Sequence, residues 1–229
     1  KVQMMEEHPE YDLVISEATL VTNEFTTQRF RRIPPKNRKK DKLFDDLILE
    51  RNVVFPPGVY LIRTSSFFEA YPERSIYESR GGQNWQMLLP IAYKGTYGYI
   101  KKSLYKIIAR PDSHSRALHS QEDKLKRCDV HEDLLLNVIM QMSEMSDYEK
   151  NRWRDVIKEK YAFRKLDILF EYKNIDAAKK YYEGIKHSGV WSIKLGFMYI
   201  RIKYPILNLL FRCHTLLSYY VWRIKSEND

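Results

Sequence analysis

Residues 11–21, YDLVISEATLV, alternate apolar and polar side chains as a strand does, and no comparable pattern recurs after residue 115. A chain whose strand-like stretches lie in one half cannot build an all-β core, and it is not a simple helix bundle either. What joins that strand decides the fold. Residues 43–52, LFDDLILERN, space their apolar side chains as a short amphipathic helix. Residues 58–63, GVYLIR, are rich in Val, Tyr and Ile and predict a second strand. The next stretch, TSSFFEAY at 64–71, opens with the hydroxyl residues that cap helices. Between the first strand and the first of these helices, TTQRFRRIPPKNRKKDK (26–42) reads as a polar loop with a Pro-Pro and a basic run. Strands alternating with helices predict an α/β arrangement.

Beyond residue 115 the chain reads as helix. Ser120 followed by acidic residues opens a helix over 120–142, and Ser146 with Asp147 opens another over 146–174. A third, 175–189, ends at Gly189, and the stretch from 190 onward predicts two helical segments divided at Pro205. The expected organisation is an α/β region over 1–116 followed by an all-α extension over 117–229. At the other end, Lys1 to Glu7 reads as the last turns of a helix stopped before Pro9, which predicts that further residues precede it.

Composition narrows the class. With 44% hydrophobic and 14% aromatic residues the chain buries a core and is not disordered. Lys+Arg 39 against Asp+Glu 30 gives a net charge of +9, which favours polyanions: nucleic acid, a phospholipid surface or a nucleotide diphosphate. No nucleic-acid-binding motif is recognisable, so nucleic acid is not expected as a partner. Cys128 and Cys213 show no metal-ligand or disulfide spacing, and a reducing, cytoplasmic compartment is the default. Residues 190–225 carry six Lys/Arg among aromatic and apolar side chains, too many to span a bilayer but suited to lying on one, so peripheral membrane association is expected alongside packing on the α/β half.

The ordered series YDLVIS, PPGVYLIRTSSFFEAYPE, GGQNWQMLLPIAYKG and YGYIKKSLYKIIARPDSHSR resembles the second half of the catalytic domain of a family 2 glycosyltransferase of the GT-A type. The resemblance covers about residues 1–116. It implies the acceptor side of an enzyme that moves a sugar from a nucleotide-sugar, with inversion, to a polysaccharide or lipid-linked acceptor. In such enzymes a nucleotide-binding half and an Asp-x-Asp motif for Mg or Mn come earlier in the chain. No Asp-x-Asp occurs in these residues, so the fragment is expected to be inactive alone and to hold no metal of its own.

The resemblance also assigns residues. Where the family shows Glu-Asp, this chain has Gln83 and Asn84 before Trp85, and an amide has no lone pair basic enough for Asn84 to be the usual general base. The amides of Gln83 and Asn84 suit sugar hydroxyls, and Trp85 either offers a flat face to a pyranose or packs in the core with the glycines forming only a turn. Glu78 in the preceding loop is the substitute base, or else an exposed loop glutamate. Arg80 binds phosphate or caps a helix end. Arg110 falls where a basic side chain would neutralise the leaving diphosphate, with His114 on the metal or a phosphate. Tyr93, Tyr97, Tyr99 and Tyr105 read as core. His131, Glu132 and Asp133 lack the further ligands a zinc site requires. The competing function is a non-enzymatic helical scaffold or membrane-surface module, although no fixed repeat period is visible.

Overall fold

The computed structural model describes residues 1–21, 27–30, 43–51, 58–81, 84–108, 120–187 and 192–204. These divide into two compact units, Lys1–Ile157 and Lys158–Asp229.

The first unit is mixed α/β. Its elements are α1 (Val2–Glu7), β1 (Leu13–Val21), β2 (Thr27–Phe30), α2 (Leu43–Leu49), β3 (Tyr60–Ile62), α3 (Thr64–Ala70), α4 (Asn84–Lys94), β4 (Tyr97–Ile108), α5 (Gln121–Gln141) and the start of α6 (Asp147–Glu171). β1 is the central strand of a four-stranded sheet. On one side it pairs in parallel with β4 along its length, and on the other it pairs antiparallel with β3 over Leu13 to Ile15 and with β2 over Ala18 to Val21. The expected alternation of β1 gives way to continuous burial from Leu13 to Thr19. Ser16 and Glu17 are as enclosed as Leu13 and Val14. β2 lies inside the stretch expected to be a polar loop, because a neighbour's open hydrogen-bonding edge recruits TQRF despite its polar composition.

α3 forms over the expected residues, but its hydroxyls do not cap it. The N-cap position is Arg63 with no side-chain cap bond, and Ser66 Oγ donates instead to Asp12 Oδ1 at 2.6 Å. α5 behaves as read: Ser120 and Asp123 form a reciprocal capping box. Ser146 and Glu149 exchange the same pair of bonds at the start of α6.

α4 contains Pro90, which has no N–H, so the carbonyl of Gln86 four residues earlier lacks its helical donor. The Tyr71 phenol donates to that carbonyl and stands in for the missing amide. The Phe44 ring meets Tyr93 of α4 and Trp153 of α6 edge to face, each at 5.3 Å, and Trp85 of α4 meets His131 of α5, so α5 and the first turns of α6 belong to the same core.

The second unit contains the rest of α6, α7 (Ile175–His187) and α8 (Ile193–Lys203). Tyr161, Leu166, Ala178, Leu195 and Met198 are its most enclosed residues. Arg201 Nη1 donates to Asp167 Oδ1 at 2.9 Å, and its guanidinium lies over the Phe170 ring at 4.4 Å. The predicted helix end at Gly189 and the segment after Pro205 lie outside the described residues.

Candidate functional site

α4, which opens on Asn84 and Trp85 and leads into β4, is tied to the sheet at both ends. Its last turn sits at the amino end of β1, where Asp12 Oδ2 accepts from the Thr96 amide at 2.7 Å. Eleven helical residues rise about 16 Å, and a bond fixes the first of them to the sheet. Tyr60 Oη donates to Asn84 Oδ1 at 3.0 Å, and Tyr60 is the β3 residue opposite Ile15 of β1.

Around this level the sheet is polar. The register of β4 against β1 shifts between Ser16 and Glu17 and again between Glu17 and Ala18. Beside the shift, Tyr99 Oη donates to Glu17 Oε1 at 3.3 Å, and the Thr19 and Ser103 hydroxyls meet at 2.5 Å. On the opposite edge Ser16 Oγ donates to the Val59 carbonyl at 3.2 Å. Glu17 is only 3% exposed, so it orients Tyr99 and does not itself meet a ligand. Asn84, Tyr60 and Tyr99 are half-buried, and Tyr60 and Tyr99 flank Ile15 of β1 on the two neighbouring strands. Partial burial raises the Tyr60 phenol above its ordinary value, which keeps it a neutral donor at physiological pH. Gly58, next to this cluster, has φ +94° and passes so close to the Tyr105 ring that an added Cβ would lie 2.4 Å from it.

Of the two readings of Trp85, the packed one is what the structure has. The indole is 7% exposed, its Nε1 donates to the Leu47 carbonyl at 3.0 Å, and its ring meets His131 edge to face at 5.0 Å. No face is left for a sugar. The glycine turn serves packing as well: a Cβ on Gly81 would come within 3.0 Å of Val130 and 3.3 Å of His131, so the turn lets the backbone approach α5. The loop before it is pinned. Tyr77 Oη donates to Asp133 Oδ2 at 2.9 Å, and the Tyr77 carbonyl accepts from Gln86 Nε2 at 3.1 Å. Glu78 and Arg80 on that loop are exposed, and among the described residues no hydrogen bond joins Glu78 to Asn84. Gln83, Arg110 and His114 lie outside the described residues.

Of the tyrosines read as core, Tyr97 is buried, while Tyr105 is exposed and Tyr93 donates to Glu149 Oε1 at 2.8 Å. Two cavities, of about 430 and about 230 Å³, lie along Pro90, the smaller reaching Asp12, and neither is lined by Asn84, Tyr60 or Glu17. Among the described residues no three His, Cys, Asp or Glu side chains converge. The single carboxylate of the cluster, already bonded to Tyr99, is not a donor set for a divalent ion.

The polar cluster had a weak sequence signal. Asn84 enters through the motif series, whereas nothing in the sequence singles out Glu17. No family model, curated protein or solved structure matches the chain.

Proposed function

We propose that residues 1–116 form the acceptor side of a glycosyltransferase that moves a sugar from a nucleotide-sugar to a glycan or lipid-linked acceptor. The observation that supports this reading is the bond from Tyr60 to Asn84: the residue standing where the resemblance puts the family's acidic pair is tied to the sheet at the level of Ile15, with Tyr99 on the neighbouring strand at the same level. Asn84 and Tyr60 offer an amide and a phenol to acceptor hydroxyls, and Tyr99, oriented by Glu17, adds a third polar group along the same strand level.

Asn84 cannot serve as general base, and Glu78 is the loop carboxylate within this part of the chain that retains the role. A divalent ion, where the complete enzyme uses one, would be held by residues other than the described ones. Transfer is tested with the full-length polypeptide that contains these residues, a panel of uridine and guanosine diphosphate sugars, and mass-spectrometric detection of the product. Asn84→Ala is expected to lower kcat/KM for the acceptor at least tenfold with donor hydrolysis little changed, and Glu78→Gln to lower kcat. Absence of both transfer and micromolar nucleotide-sugar binding by the full-length polypeptide overturns the reading. Normal turnover in Glu78→Gln removes that residue from the mechanism.

A further inference from the structure

α8 has two apolar faces. Leu195 and Met198 are each 1% exposed and face the core of the second unit. Phe197 and Ile200 are 52% and 38% exposed, and at 100° per residue their midpoint lies roughly 160° round the helix from that of the buried pair. Tyr204, at the C-cap and 51% exposed, continues the outward stripe. A helix that only packs needs a single apolar stripe. The second stripe therefore needs a partner.

Charge selects it. Residues 192–204 contain Lys194, Arg201 and Lys203 and no Asp or Glu, and the absence of carboxylates continues through residue 225 across Arg212, Arg223 and Lys225. Arg201 is paired with Asp167, so a second copy meeting this face across a two-fold axis would set Lys203 against its own copy, and the sequence of 205–225 adds more of the same sign. A partner with a continuous anionic surface and an apolar layer beneath it satisfies both features. Lys203 Nζ lies 5.6 Å from the centre of the Tyr204 ring, so its stem follows the apolar stripe while its ammonium stays at the rim.

We infer that the outward face of α8 docks on an anionic lipid bilayer surface, with Phe197, Ile200 and Tyr204 entering the headgroup boundary and Lys203 meeting lipid phosphates. The inference is independent of the proposed sugar transfer, because it uses only residues of the second unit and needs no catalysis.

The test is flotation of the full chain with phosphatidylcholine vesicles and with vesicles containing phosphatidylglycerol, at low and high salt. Co-flotation is expected with the anionic vesicles alone and should weaken as salt rises, since screening shortens the reach of the cations. Phe197→Ser combined with Ile200→Ser is expected to weaken apparent vesicle affinity at least tenfold, as is Lys203→Glu, with thermal melting unchanged in both. The proposal is overturned if no flotation occurs at low salt, or if Lys203→Glu floats like the parent chain. A double-serine variant that unfolds would mark the stripe as internal packing, and an oligomer that dissociates on substitution, detected by sedimentation, would mark it as a contact between copies. Either of these results also overturns the proposal.

Discussion

Replacing Tyr71 by Phe removes one oxygen atom and should expose a specific debt in α4. The Gln86 carbonyl has no amide to accept from, because position 90 is proline, and Gln86 itself is 1% exposed. Without the phenol that carbonyl is left buried and unsatisfied, a loss of about 1–3 kcal/mol. In a Pro90→Ala background the residue at 90 regains an N–H that can donate to Gln86, so Tyr71→Phe should then cost less than half as much. The expected coupling between the two sites is about 1 kcal/mol. Urea denaturation of the four proteins, followed by tryptophan fluorescence, measures it. Equal costs of Tyr71→Phe in the two backgrounds would refute the idea that the phenol substitutes for an amide. The pH dependence gives a second check. Burial raises the Tyr71 phenol above its ordinary value, so its contribution is fully present below about pH 10 and is lost as the pH rises beyond that. The stability gap between the parent chain and Tyr71→Phe should therefore shrink in strong alkali. Tyr60, Tyr77 and Tyr93 shift in the same direction and are common to both proteins, so the difference isolates Tyr71.

Three further outcomes are expected. Trp85→Ala should destabilise the first unit by about 3–5 kcal/mol, measurable by denaturation, because it empties a packed site and removes the bond to Leu47; an unaltered midpoint would place the indole outside the core. Ser146→Ala should cost about 0.5–2 kcal/mol near neutral pH. Ser146 and Tyr93 hold the Glu149 carboxyl below its ordinary value, so this contribution is present above about pH 4 and fades below it, and the gap between Ser146→Ala and the parent chain should narrow in acid. Gly184, inside α7 with open space around its missing Cβ, should gain about 0.5–1 kcal/mol as Gly184→Ala, read as a higher melting temperature of the second unit.

Much of the fold was legible because it rests on local chemistry. The hydroxyl-acid starts at Ser120 and Ser146 and the Val- and Tyr-rich strand before Arg63 need no distant partner to be recognised. The misread parts depend on what lies across the fold. Thr64, Ser65 and Ser66 look like caps until Asp12 claims Ser66. Trp85 looks like a binding face until the Leu47 carbonyl and His131 enclose it. Thr27–Phe30 looks like loop until the edge of β1 recruits it. Glu17 is the clearest case, since the burial of both faces from Leu13 to Thr19 comes from partners across the fold and leaves no mark in the strand's own sequence.

The register shift in the sheet has a bearing on solubility. Twelve residues of β4 run beside nine of β1, and the pairing steps over Lys101, Lys102 and Leu104. Among the described residues β4 pairs on one side only, and Leu104, Tyr105 and Ile108 are exposed along it. A flat strand of that length and composition would be a template for adding foreign strands and seeding aggregates. The slack curls the strand, and three lysines at 101, 102 and 106 stud it with charge, so the irregularity that sits beside the polar cluster also keeps the edge from propagating.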